Sequence, residues 1–185
     1  VTIPYKEEII PYLDKLSKTA EKIGAVNCIT ISKKKKLKGY NTDYHGFKKS
    51  IKPLLKDHHK KALILGTGGA SKAIAYALRS LKIEYDFVSR TADEFQYKYE
   101  ELDASIFEEY TVIINTTPVG THPNVNDCPN LDYSLFTKKH IAYDLIYNPE
   151  ETAFLRKTKA QGDVTKNGYE MLVLQAEKAW KIWNE

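Results

Sequence analysis

KALILGTGGASKAIAYAL, residues 61–78, decides the fold. It starts with a short apolar run of strand length, and three glycines, Gly66, Gly68 and Gly69, follow. A helix comes next: Ala70, Ala73, Ile74, Ala77, Leu78 and Leu81 fall at i, i+3, i+4, i+7, i+8 and i+11, one continuous helical stripe. Strand, glycine turn and helix in that order open a dinucleotide-binding βαβ unit. There the first glycine permits the tight turn and the second lets the backbone approach a pyrophosphate. The helix start offers free N–H groups and a positive dipole end. The third fingerprint position holds Ser71, small but not glycine. The competing reading is a tight strand-to-helix turn with no ligand. A P-loop fails on register: it needs Gly before its Lys and Ser or Thr after it, whereas Lys72 lies between Ser71 and Ala73.

Further strands are expected at residues 85–89, 111–115 and 141–146, with a helix over 151–162 ending at Gly162 and a last helix after Gly168. Strands alternate with helices and are apolar on both faces, the signature of an α/β parallel sheet covered on both sides. Upstream, residues 6–22 read as a helix broken by Pro11. Residues 25–31 and 37–41 flank the lysine run 33–36 and read as a hairpin with a solvated basic turn; a polyanion-binding patch is the alternative. A helix begins near Thr42 or Asp43. His58 and His59 are consecutive, have no partner pair at metal spacing, and read as surface histidines; no metal site is expected.

The second strand of the nucleotide unit ends FVSRT, where an NAD-specific site would place Asp or Glu on the ribose. Ser89, Arg90 and Thr91 suit a 2′-phosphate instead, which favours NADP. The strand at 111–115 runs into NTTPVGTHP, a shaped loop at the ligand-facing edge. Outside that unit, Lys6 and Asp43 form a plausible ion pair. On composition alone it reads first as a surface salt bridge and second as a catalytic dyad.

Composition bounds the rest. The chain has 185 residues, 42% hydrophobic and 28% charged, values of an ordinary globular protein and not of a disordered or collagen-like one. No apolar run approaches the ~20 residues of a membrane span. A net charge of +4 is too mild to argue for nucleic acid. Two cysteines make neither a disulfide framework nor a zinc motif, so a cytoplasmic location is expected. The opening VTIPYKEE reads as the end of a strand running into a turn, so the numbering is expected to begin inside a longer protein.

VTIPYK, IGAVN, GYNTDYHGF, GTGGASKA, SRT, NTTPVG, DLIYNP and NGYEMLVLQA follow one another along nearly the whole chain. In that order they resemble the shikimate dehydrogenases. Folate methylene dehydrogenases and glutamyl-tRNA reductases share the cofactor fold but are not expected to combine VTIPYK with NTD. The resemblance implies reversible reduction of 3-dehydroshikimate to shikimate with NADPH, in aromatic amino-acid biosynthesis. It implies a Rossmann-like doubly wound sheet over residues 48–167 plus a partial, discontinuous α/β substrate domain made of 1–47 and 168–185. Lys6 and Asp43 match the catalytic pair. Thr2, Asn27 and Gln175 match substrate-hydroxyl ligands. Gly66, Gly68, Gly69 and Ala70 match the pyrophosphate loop, and Ser89, Arg90 and Thr91 the adenosine-phosphate site. Thr116, Thr117 and Val119 match the loop along the cofactor, and Tyr147, Gly168 and Met171 positions near nicotinamide and substrate. A small-molecule substrate and a monomer or homodimer are expected, with no nucleic-acid or membrane partner. The family's earlier segment, whose Ser pair binds the substrate carboxylate, has no counterpart here, so half of the substrate pocket is expected to be missing. The alternatives are a quinate/shikimate dehydrogenase using NAD and a non-catalytic nucleotide-binding module.

Overall fold

A computed structural model describes residues 1–185. In chain order the elements are β1 (Lys15–Leu16), α1 (Lys18–Ile23), β2 (Cys28–Ile31), β3 (Leu37–Tyr40), α2 (Asp43–Ile51), β4 (Lys61–Leu65), α3 (Gly69–Ser80) and β5 (Glu84–Val88). They continue with α4 (Ala104–Glu109), β6 (Tyr110–Asn115), β7 (Ile141–Asp144), α5 (Ala153–Lys159), β8 (Val164–Lys166) and α6 (Tyr169–Asn184).

The five strands of the larger sheet are all parallel, in the order β5-β4-β6-β7-β8. Period-2 alternation sends Ala62, Ile64, Val112, Ile114, Ile141 and Tyr143 to one face. Leu63, Leu65, Ile113 and Ala142 go to the other. The first face is covered by Ile74, Ala77 and Leu78 of α3, by Phe47 and Ile51 of α2 and by Met171 of α6. The second is covered by Phe107 of α4, Phe154 and Leu155 of α5, and Phe136. Both faces are therefore dry over the inner strands β4, β6 and β7, which is why these run mostly apolar. The chain leaves β4 toward β5 on one side, then returns past it to β6 on the other. That reversal opens a crevice at the C-terminal end of β4, where Gly66 stands.

The smaller sheet has the order β1-β3-β2, with β1 parallel and β2 antiparallel to β3. Its hairpin turn is solvated: Lys33–Lys36 are exposed, and Lys36 Nζ pairs with Asp14 at 2.7 Å. α2 ties the two parts together, running without a break across residues 47 and 48. It lies tightly against α6, because a Cβ on Gly46 would stand 2.5 Å from Met171 O. The far end of α6 is pinned to the small sheet, Trp183 Nε1 donating to Ile29 O at 3.0 Å.

Several expectations need correction. Residues 6–22 are not one broken helix: a 3-10 turn at Ile10–Tyr12 holds Pro11, and β1 precedes α1, whose N-cap Ser17 accepts from Ala20 N. His59 is not a surface residue. It is 5% exposed, its Nδ1 accepts from Lys56 N at 2.8 Å, and burial lowers its pKa; His58 alone faces outward. α5 stops at Lys159, and the left-handed Gly162 (φ +85°) turns the chain toward β8. No helix is long and apolar enough to cross a membrane.

Candidate active site

The two sheets flank a cleft of about 570 Å³, lined from the N-terminal side by Thr2, Lys6, Asn27 and Asp43. Lys6 Nζ donates to Asp43 Oδ2 at 2.7 Å, with the side chains only 13% and 9% exposed. The pair is therefore not the surface salt bridge that composition suggests. Asp43 is the first residue of α2, where the helix N-terminus favours an anion. Lys6 O accepts from Val26 N at 2.7 Å, which fastens the lysine's turn to the GAVN segment.

The pair is one corner of a larger network. Asn27 Nδ2 donates to Asp43 Oδ1 (2.8 Å) and Thr42 Oγ1 (2.9 Å), while Asn27 Oδ1 accepts from Thr42 N (2.7 Å). Thr42 Oγ1 lies 3.2 Å from Gln175 Oε1 and donates to it; Gln175 Nε2 donates to Leu172 O within α6. Thr42 is fully buried and joins Asn27 to Gln175, a role the sequence reading missed. It stands at the N-cap of α2, but its hydroxyl makes no cap bond and goes to the network instead. Its position inside the NTD triplet was the available signal.

On the other wall, Ala70, Thr116, Thr117, Tyr147, Gly168 and Met171 face the same cleft, joined by Leu145, Ile146 and His122, which the sequence reading did not single out. Val119 is not on this wall. It is absent from the cleft lining, its N–H donating to Thr117 Oγ1 at 3.3 Å. Gly66, Gly68 and Gly69 continue the edge at the end of β4 and the start of α3. Gly66 has φ +102°, and a Cβ there would lie 2.9 Å from Thr117 Cγ2 and 3.1 Å from Thr116 Oγ1. Only glycine meets both demands. Ser71 replaces the third glycine without strain, because it is buried and its Oγ donates to Gly68 O at 2.6 Å. Lys72, one residue on, pairs with Glu7, so the turn that carries Lys6 is held against the first turn of α3.

Ser89 turns inward at the end of β5 and accepts from Thr91 N at 3.2 Å. Arg90 and Thr91 are exposed, and Arg90 joins no ion pair. Under the cleft floor, Asn115 Oδ1 accepts from Thr117 N (3.1 Å) and Thr117 Oγ1 (2.6 Å), and Asn115 Nδ2 donates to Asp144 Oδ1 (3.1 Å). Burial pushes the Asp144 carboxyl up to about 6. No group of three or more His, Cys, Asp or Glu side chains forms a metal centre.

The chain is similar to known proteins over nearly its whole length. The family described as the shikimate dehydrogenase substrate binding domain matches residues 1–29. Shikimate dehydrogenase (NADP(+)) of Caldanaerobacter subterraneus subsp. tengcongensis is 41% identical, over 99% of this chain and 70% of its own length. The crystal structure of shikimate dehydrogenase from Aquifex aeolicus superposes with a TM-score of 0.86 at 39% identity, covering 100% of this chain and 70% of that one. The Thermus thermophilus shikimate 5-dehydrogenase, solved in complex with NADP(H) and shikimate, gives a TM-score of 0.84 at 35% identity, over 98% of this chain and 70% of its own. Similarity of this extent, over nearly the whole chain, makes it a member of the shikimate dehydrogenase family.

Proposed function

We propose that the chain performs the reversible reduction of 3-dehydroshikimate to shikimate with NADPH, a step of aromatic amino-acid biosynthesis. The observation that carries this reading is the Lys6–Asp43 pair, set in the cleft at 2.7 Å and joined through Asn27 and Thr42 to Gln175. The substrate is a small polyhydroxylated carboxylate, and hydroxyls require polar partners: a buried polar group left unpaired costs ~1–3 kcal/mol. Thr2, Asn27, Gln175 and Tyr147 offer those partners at the cleft wall. Lys6 stabilises the alkoxide that develops at the oxidised hydroxyl and exchanges its proton. Asp43 holds the ammonium in place.

The residues at the strand ends fit NADP. Gly68 opens on free space, while Gly66 packs on Thr116 and Thr117 and Gly69 on Lys6 and Glu7; a diphosphate at this loop, beside Ala70, would meet the first-turn amides of α3. Arg90, exposed and free of ion pairs beside Thr91, suits the 2′-phosphate, and β5 ends without an acidic residue. Thr116, Thr117, Gly168 and Met171 would border the nicotinamide, and Val119 would brace Thr117. The cofactor supplies the hydride; the chain supplies orientation and the proton. In this reading 48–167 serve as the cofactor domain, and 1–47 with 168–185 as the substrate domain.

The test follows nicotinamide absorbance with shikimate and NADP, using NAD and quinate as controls and recording the intact mass. Shikimate-dependent reduction of NADP is the expected result. Reduction of NAD in preference would overturn the Arg90 assignment. Cofactor binding without turnover in a chain of full family length would favour a non-catalytic nucleotide-binding module.

A further inference from the structure

We infer that the buried carboxylate of Asp144 makes the cleft prefer the oxidised, positively charged nicotinamide to the reduced, neutral one. The inference deepens the NADP-linked reading and rests on it. Asp144 ends β7 and is fully buried. Its Oδ1 accepts from Asn115 Nδ2 and Ile146 N, each at 3.1 Å, and its Oδ2 accepts from Thr152 Oγ1 at 2.7 Å. All three donors are neutral. They solvate the charge and leave it uncompensated, since none of the ion pairs of the chain includes Asp144. Burial raises its pKa to about 6, so the group is an anion at pH 8. An unpaired buried charge is costly, and an amide of the same shape would avoid that cost.

The carboxylate does not itself line the cleft but stands behind its wall, 3.1 Å from the N–H of Ile146, which does. The next three residues, Leu145, Ile146 and Tyr147, line the cleft that holds Lys6. Its amide partner Asn115 is followed by Thr116 and Thr117, which line the same floor. A hydride donor serving a substrate at Lys6 has to occupy that cleft. Its ring is cationic when oxidised and neutral when reduced. None of the charged groups on the surrounding elements pairs with the anion: exposed Lys157 of α5 reaches Cys128 Sγ at 3.2 Å and lies over the Tyr133 ring instead. Tyr133 keeps its proton, because burial raises its pKa far above neutral. Lys166 of β8 is paired with Glu170 of α6, and His122 lies on the cleft wall. A unit charge ~12–17 Å away at an effective dielectric of ~20 changes a binding ratio by roughly five- to ten-fold.

The experiment measures Kd for NADP+ and for NADPH separately, by calorimetry and by nicotinamide fluorescence, on the whole chain and on Asp144→Asn at pH 8. The expected result is about a five-fold rise in the ratio of Kd for NADP+ to Kd for NADPH, with NADPH affinity nearly unchanged. Equal weakening of both forms, or an unchanged ratio, overturns the inference and reduces Asp144 to a structural role. A wild-type chain that binds neither form overturns the NADP-linked reading together with it. If Asp144→Asn fails to fold, the unsubstituted carboxylate is tested in a His122→Asn chain by lowering the pH from 8 to 5.5. The 2′-phosphate is common to both forms and cancels, so the ratio should rise as Asp144 takes up its proton. A ratio that stays flat overturns the inference.

Discussion

At the scale of single residues, the proposed chemistry is concentrated in a lysine whose only ionic partner is one buried carboxylate. Substituting Lys6→Met should lower kcat by about 100-fold or more, the usual contribution of a positioned proton donor, with substrate KM within a few-fold of the original. Steady-state kinetics in both directions checks this; normal turnover with an equal loss of affinity would remove Lys6 from the proton transfer. Much of this centre was legible in the sequence, though not from composition. A lysine and an aspartate 37 positions apart resemble any surface pair until their flanking motifs are read together. Thr42 stayed hidden because a threonine before a helix ordinarily caps it, and only the fold shows the hydroxyl turned to Asn27 and Gln175. His59 was misread because sequence neighbours can differ in burial even where they share a partner: the two rings stand 4.1 Å apart and both reach Lys139 O, yet only His58 is exposed.

At the scale of elements, what matters is how closely α2 and α6 approach, because one carries Asp43 and the other Gln175. Replacing Gly46→Ala would put a methyl group 2.5 Å from Met171 O, a contact backbone cannot absorb without moving α6. The expected outcome is a loss of about 1–3 kcal/mol in urea unfolding, the usual cost of overpacking. A raised substrate KM should accompany it, since Gln175 shifts with its helix. An unchanged KM beside lowered stability would show that α6 moves without its glutamine. The strands β4, β6 and β7 were readable as apolar runs because both their faces are dry. α4 and β8 were not. The first has six residues with one buried side chain, Phe107, and the second has three half-buried residues at the sheet edge. Periodicity needs more turns than that to register.

For the molecule as a whole, stability depends on pH through carboxyl groups that burial disfavours in their charged form. Asp163 is the clearer case: both its oxygens are buried without a hydrogen-bond partner, and the nearby Thr158 gives its hydroxyl to Leu155 O instead. Its pKa rises from 3.8 to about 6 on folding. The folded state then holds this proton more tightly than the unfolded chain, so this group's contribution to stability is greatest below about pH 4. It falls as pH rises from about 4 to 6 and is flat beyond. Asp163→Asn removes that cost and should stabilise the protein by roughly 1–2 kcal/mol at pH 8, the shift being discounted for partial exposure, with little gain at pH 4. Urea denaturation at the two pH values measures the difference. The pinning of α6 by Trp183 has a practical consequence of another kind. The chain has two tryptophans, Trp180 and Trp183, and both ride on the outer end of that helix, 66% and 58% exposed. Tryptophan emission, excited selectively over the tyrosines, is thus a private channel for the last helix, separate from the five-stranded core that dominates circular dichroism. If α6 undocks before the core melts, the emission maximum will shift at lower urea than the ellipticity falls, and the gap between the two curves will be a direct reading of how firmly Gln175 is held.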